Sequence, residues 1–277
     1  MTKGISVLAM LCIALPTLLP AQVVTSIPDP VNGVVNASFA TGAGNSANVA
    51  ITSAQPRSGN GSLELQMTNF AQPAVFIGGQ AFTGSLAQLS SLSFDFLGTN
   101  VVNTTPTIRV VFQAYFQDVL RTFNLGWYRN SGAPSWENSG DLTDVASSTD
   151  GSTGFWLRLT GAGGGQLLRS CSTSGLGTSF DDRRQSLADW LGSCNGTSGT
   201  FDFTGAQVVG VQVDQGRWPG FEGTNVNYID NVSVQFGRGP VSTINFETNV
   251  VPEPSTYALM SAGLIGVYFA RRRYRNG

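Results

Sequence analysis

Apolar and polar residues alternate along most of this chain in short runs, the pattern of strands with one face buried. Leu63, Leu65 and Met67 alternate with Glu64 and Gln66; Leu92, Phe94 and Phe96 with Ser93 and Asp95; Ile108, Val110, Phe112 and Ala114 with Arg109 and Gln113. Farther on, Phe155, Leu157 and Leu159 alternate with Trp156 and Arg158, Val209, Val211 and Val213 with Gly210 and Gln212, and the last strong run is Tyr228 to Phe236. Strands at such intervals, separated by turn residues, predict an all-β chain folded as an antiparallel, jelly-roll-like β-sandwich. Residues from about Asn124 to Thr200 read as a long loop insertion, rich in Gly and Ser, around the Phe155 run. One short helix is predicted inside it, with Ser179 as N-cap, Asp182 three residues on, Leu187, Trp190 and Leu191 on one side, and Gly192 as the stop.

The last run holds a carboxylate. Period-two alternation from Tyr228 to Phe236 puts Asp230 on the face of Tyr228, Val232, Val234 and Phe236. An unpaired buried charge is too costly to keep, so Asp230 needs a cation, an arginine or backbone N–H groups at a sheet corner. The sandwich is read as residues 22–237. In the next stretch, 238–250, Ile244, Phe246 and Glu247 suit either a closing strand or a linker.

The two ends of the chain depart from this pattern. Lys3, the apolar stretch Ile5 to Leu15 and Leu19-Pro20-Ala21 make up a secretory signal spanning 1–21, for signal peptidase to remove; Pro16 and Pro20 weigh against a retained anchor. At the other end, Val251, Pro252, Glu253 and Pro254 form a stiff extended stretch, because each proline fixes its own φ and restricts the residue before it. Ser255 to Ala270 then carry no charge, and Arg271, Arg272, Arg273 and Arg275 come after them. The sixteen uncharged residues fall just below the ~20 of a membrane-crossing helix, and the arginines would hold the C-terminus in the cytoplasm.

This order, over residues 251–277, resembles the PEP-CTERM sorting signal of Gram-negative bacteria. The resemblance implies export, a C-terminal transmembrane helix at about 255–270 that anchors the chain transiently in the inner membrane, and cleavage near Pro252-Glu253-Pro254 by an exosortase, a membrane transpeptidase. It implies a final place at the cell surface or in the extracellular matrix of biofilm-forming bacteria that make exopolysaccharide. An uncut tail anchor is the plainer alternative, but an anchor has no need of Pro-Glu-Pro.

Export changes how composition reads. Losing Lys3 and the four tail arginines, together with Glu253, leaves ten basic and sixteen acidic residues, a net charge near −6 that disfavours nucleic acid as a partner. Two cysteines remain, Cys171 and Cys194, and in an oxidising compartment they are expected to form a disulfide. A metal pair is less suited, since the chain has no histidine.

Pro56-Arg57-Ser58-Gly59-Asn60-Gly61-Ser62-Leu63-Glu64-Leu65 and Tyr228-Ile229-Asp230-Asn231-Val232 together resemble galactose-binding-like jelly rolls, the fold of many carbohydrate-binding modules. In that family the final-strand aspartate commonly helps to hold a structural Ca²⁺. The resemblance carries this over to Asp230, with carbonyls of Thr41 or Ser58 as further ligands; Ala40 stands where an acidic residue often follows the early phenylalanine, which argues for weaker binding. The competing reading is a hydrogen-bonded structural Asp230.

Sugar binding would use aromatic platforms beside planar polar groups. The candidates are Trp127 with Tyr128, Trp136, and Trp218 with Phe221, flanked by Arg129, Asn130, Glu137, Asn138, Arg217 and Glu222; Trp156 and Trp190 look structural, and most tryptophans are. Without histidine, Ser-His-Asp triads and histidine bases are excluded, which leaves carboxylate pairs, Asp214 with Glu222 or Asp141 with Asp144, as the route to glycoside chemistry. The expectation is a non-catalytic exported protein that binds or organises exopolysaccharide; the alternative is a secreted carboxylate-dependent hydrolase or lyase acting on it.

Overall fold

The computed structural model describes residues 23–26, 35–40, 46–68, 72–98, 106–116, 119–128, 133–145, 154–160, 166–168, 185–193, 201–215, 223–248, 261 and 264. They form strands β1 (Val23–Ser26), β2 (Val35–Ala40), β3 (Ser46–Thr52), β4 (Ser62–Thr68), β5 (Gln72–Ile77), β6 (Gly84–Ser85), β7 (Leu89–Gly98) and β8 (Pro106–Phe116). After these come β9 (Val119–Tyr128), β10 (Glu137–Asn138), β11 (Trp156–Thr160), β12 (Gln166–Leu168), helix α1 (Leu187–Ser193), β13 (Phe201–Gln215), β14 (Thr224–Phe236) and β15 (Ser242–Asn245).

These strands build two sheets. One contains β1, β3, β4, β7, β10, β14 and β15; the other contains β2, β5, β6, β8, β9, β11, β12 and β13. The chain changes sheet repeatedly, among other places between β4 and β5, β7 and β8, and β13 and β14. As a result β14 lies between β4 and β7 in the first sheet, while β13 lies between β5 and β8 in the second. This arrangement is of the jelly-roll type.

The predicted inward residues close the core. Leu63, Leu65, Leu92, Phe94 and Phe96 come from one sheet, and Ile108, Val110, Phe112, Val211 and Val213 from the other. Phe112 stacks on Phe123 with ring centroids 5.6 Å apart and meets Phe203 edge-on at 5.0 Å. Each such side chain contributes about 1.5–3 kcal/mol by leaving water.

Three features differ from the sequence pattern, and a fourth resolves what it left open. Besides the expected strand at the Phe155 run, β11, the region read as a loop insertion contains the end of β9 and all of β12, and the three pair in succession and extend the second sheet. The pairing is antiparallel except at β1, which runs parallel to β15. The N-cap of α1 is Ser186 rather than Ser179: Ser186 Oγ accepts from Asp189 N at 3.0 Å and donates to Asp189 Oδ2 at 2.7 Å, and Gly192 lies inside the last turn. Residues 242–245, left open as strand or linker, are a strand between β14 and β1.

Among the described residues no helix is long and apolar enough to cross a membrane. The expected 255–270 segment lies outside them except for Ser261 and Leu264, both helical and exposed.

Candidate functional site

β14 is paired along one edge by β7, but its other edge is shared. β4 covers Thr224–Ile229 and β15 covers Val232–Val234. At this seam β14 bulges: Asp230 pairs with Asp95 and Ser233 with Ser93, so Asn231 and Val232 together face Phe94, and Asn231 takes φ 49°. The bulge shifts the phase of the strand. Ile229 points into the core before it, and Val232 and Val234 after it. Asp230 therefore sits on the outer face with Tyr228, opposite Val232, a correction to the simple alternation.

Asp230 is fully buried and fills the gap where the two partner strands stop. Its Oδ1 accepts the N–H of Asn231 at 2.9 Å and of Phe246 at 3.1 Å; Oδ2 accepts the N–H of Ser58 at 3.1 Å. Beside it, Asp95 accepts from Arg57 Nε at 3.1 Å, Asn231 Nδ2 at 2.8 Å and Asn138 Nδ2 at 2.6 Å. Burial pushes the Asp230 carboxyl up to about 7; the three N–H bonds oppose that rise, and the Glu247 charge adds to it. Of the partners considered from sequence, backbone N–H groups hold Asp230.

In this setting Asp230 is a hydrogen-bonded carboxylate. Ser58 turns its N–H, not its carbonyl, towards Asp230. Among the described residues no three acidic, thiol or imidazole groups gather at metal-binding distance. Thr41 lies outside the described residues.

Next to the seam, Glu247 accepts from Asn60 N at 2.6 Å through Oε2 and from Asn245 Nδ2 at 2.7 Å through Oε1. Thr248 donates its N–H to Asn60 Oδ1 at 3.2 Å, and its hydroxyl reaches the same atom at 3.1 Å. The two glycines of the loop make room. A Cβ at Gly59, whose φ is +74°, would overlap the Glu247 carboxylate, and one at Gly61 would lie 2.6 Å from Phe246 O. Gly59→Ala should therefore cost about 1–3 kcal/mol, through backbone strain and the displaced carboxylate, measured as a lowered denaturant midpoint.

A second polar cluster lies on the outer face of the other sheet. Arg109 on β8 is salt-bridged to Asp214 on β13, with Nη2 donating to Oδ1 at 3.1 Å, and Gln212 Nε2 donates to Oδ2 at 3.1 Å. Desolvation raises the Asp214 pKa against the lowering effect of Arg109. The Arg109 guanidinium lies over the Trp156 ring at 4.9 Å, and that ring occupies the space a side chain at Gly126 would need. Arg109, Asp214 and Trp156 are all buried, so this cluster braces the sheet.

The sequence candidates are distributed unevenly. Trp127 packs against the core, edge-on to Phe94 at 5.9 Å; Tyr128 ends the same strand; Trp136 is half-buried before β10. Trp190 is buried, with Nε1 donating to Phe155 O at 2.8 Å. Asp141 caps a 3-10 turn by accepting from Thr143 N at 3.0 Å and also accepts from Leu92 N at 3.1 Å. Trp218, Phe221, Glu222, Cys171, Cys194 and Val251 to Pro254 lie outside the described residues. Strands β9 and β13 finish, and β8 and β14 begin, at one end of the sandwich, so Tyr128 and the two anchors of the Trp218 stretch, Gln215 and Gly223, share that end.

The C-terminal stretch beyond β15 decides the address of the chain. Residues 250–273 match the PEP-CTERM protein-sorting motif. The chain carries a PEP-CTERM sorting motif. This PEP-CTERM tail starts two residues after Thr248, which is bonded to Asn60. No curated protein matches the chain. Among solved structures, the family 11 carbohydrate-binding module of the cellulosomal cellulase Lic26A-Cel5E of Clostridium thermocellum is similar at 12% identity, over 76% of this chain and 92% of its own, with a TM-score of 0.40. The family 11 module from Clostridium thermocellum in complex with a beta-1,3-1,4-mixed-linked tetrasaccharide is similar at 12% identity over 80% and 95%, with a TM-score of 0.38.

Proposed function

We propose that this is an exported surface or matrix protein, processed by an exosortase, whose sandwich binds or organises exopolysaccharide without catalysis. The observation that carries this reading is the PEP-CTERM tail placed directly behind a sandwich closed by β15. The jelly-roll strand order and the two sequence stretches that resemble carbohydrate-binding modules support a glycan as partner. The acidic residues at the seam support a binding role over a hydrolytic one. Asp95 and Asp230 are cross-strand neighbours, yet each is saturated by N–H donors, and Asp214 is committed to Arg109. None has the open, water-facing geometry that a glycosidase acid and its partner need. The glycan-contacting surface is assigned to the end that holds Tyr128, Gln215 and Gly223.

The test is a pull-down of the processed, secreted protein with neutral and acidic polysaccharides, with and without Ca²⁺, followed by product analysis. Retention without chain shortening, unchanged by Ca²⁺ and weakened by Trp218→Ala, is the expected result. Shortened products would establish the hydrolase or lyase instead. A requirement for Ca²⁺ would restore the metal at Asp230.

A further inference from the structure

The bonds around Asn60 join the turn between β3 and β4 to the last residues of the sandwich, immediately before the sorting tail. Asn60 N donates to Glu247 Oε2, Thr248 N and Oγ1 both donate to Asn60 Oδ1, and Thr248 Oγ1 also reaches Asn60 O at 3.2 Å. Two residues before Thr248, Phe246 N is held by Asp230, and Phe246 itself is fully buried. The chain is thus fixed through Thr248.

Three residues, Asn249 to Val251, separate that point from Pro252. Whatever their conformation, four Cα–Cα steps reach at most about 14 Å. An enzyme that cuts a peptide bond takes its substrate as extended chain over several residues on both sides of the bond, and an intact fold resists such entry unless a segment opens locally. Here the residues on the N-terminal side of Pro252 soon run into the clamp.

We propose that Asn60 and Glu247 are positioning residues for processing: by clamping Thr248 they keep the substrate stretch too short for full engagement, so cleavage proceeds through local opening of residues 245–248. This rests on the reading that an exosortase cuts the chain near Pro252. When opening and reclosing are fast, the cleavage rate follows the population of the open form. Asn60→Ala removes two hydrogen bonds to the clamp and leaves the core untouched, so it should raise that population, and the rate, about tenfold. Six Gly and Ser residues inserted between Thr248 and Asn249 supply the missing length with the clamp closed. The insertion should accelerate cleavage as much as Asn60→Ala does, and adding it to Asn60→Ala should give little more.

The experiment follows the full-length chain in cells that contain the exosortase, by pulse-chase and intact mass, for the parent, Asn60→Ala, Glu247→Ala, the insertion and the combination. Faster cleavage in each single variant, without additivity, is the expected result. A parental rate in the insertion variant would overturn the inference, and this variant stays informative if a clamp substitution misfolds, because it alters no bond of the sandwich. A parent chain that is never cut would overturn the processing reading, and the clamp role with it.

Discussion

Arg109→Met is expected to destabilise the sandwich by about 3–5 kcal/mol at neutral pH, the range for removing one partner of a buried ion pair. Asp214 is fully buried, and after the substitution only Gln212 would remain of its two side-chain hydrogen-bond partners. The carboxylate would stay desolvated without its counter-charge, and its pKa, already raised by burial, would rise further. Acid should therefore narrow the gap between variant and parent, since a protonated Asp214 no longer needs a cation. The Trp156 ring would also lose the guanidinium that lies over it. Urea unfolding at pH 7 and near pH 5 measures both effects. The double variant Arg109→Met with Asp214→Leu should recover most of the loss, because replacing both charges leaves no orphan. An Arg109→Met protein as stable as the parent would mean that water reaches Asp214, and the brace assigned to this cluster would be wrong.

How far the sequence could be read depended on whether a pattern was local. Strands β4, β7, β8 and β14 were legible because one buried face forces alternation, and Phe94, Phe112 and Val211 all point inward as that pattern requires. In β9 the same alternation exists, with Phe123, Leu125 and Trp127 on the core side, but Asn124 and Gly126 between them resemble loop residues. Gly126 is there because Trp156 of the neighbouring strand occupies its side-chain space, a reason visible only once the strands are paired. Asp230 was recognisable as a carboxylate in need of partners. Its face was not, since the bulge at Asn231 depends on two different strands sharing one edge of β14. The clamp on Thr248 was equally hidden, because Asn60 lies 188 residues earlier in the chain. Its only local trace is the pair of glycines flanking Asn60, whose missing side chains leave space for Phe246 and Glu247.

Asp230→Asn is expected to be the other most damaging substitution, and it carries a pH signature. The asparagine keeps the shape but replaces one acceptor oxygen by an NH₂ group, which would then face the N–H of Ser58 or the N–H groups of Phe246 and Asn231. Setting donor against donor should cost about 1–3 kcal/mol in acid, where the parent is at its most stable. The parent's own pH dependence comes from the raised carboxyl. Asp230 titrates near 7 in the fold and near ~3.9 in the unfolded chain. Between those values the folded state binds the extra proton, so this group's contribution is complete below about pH 4 and is lost as pH rises through 7. The loss across that window is on the order of 4 kcal/mol. In Asp230→Asn the slope should vanish, so the variant's deficit is largest in acid and shrinks as pH rises through 7. The measurement is the urea midpoint from pH 4 to 8 for both proteins. A parent whose midpoint rises across this window, with a variant that runs parallel to it, would show that the three N–H bonds outweigh burial and hold Asp230 ionised. The seam would then rest on a permanent charge, and neutral pH would favour its closure.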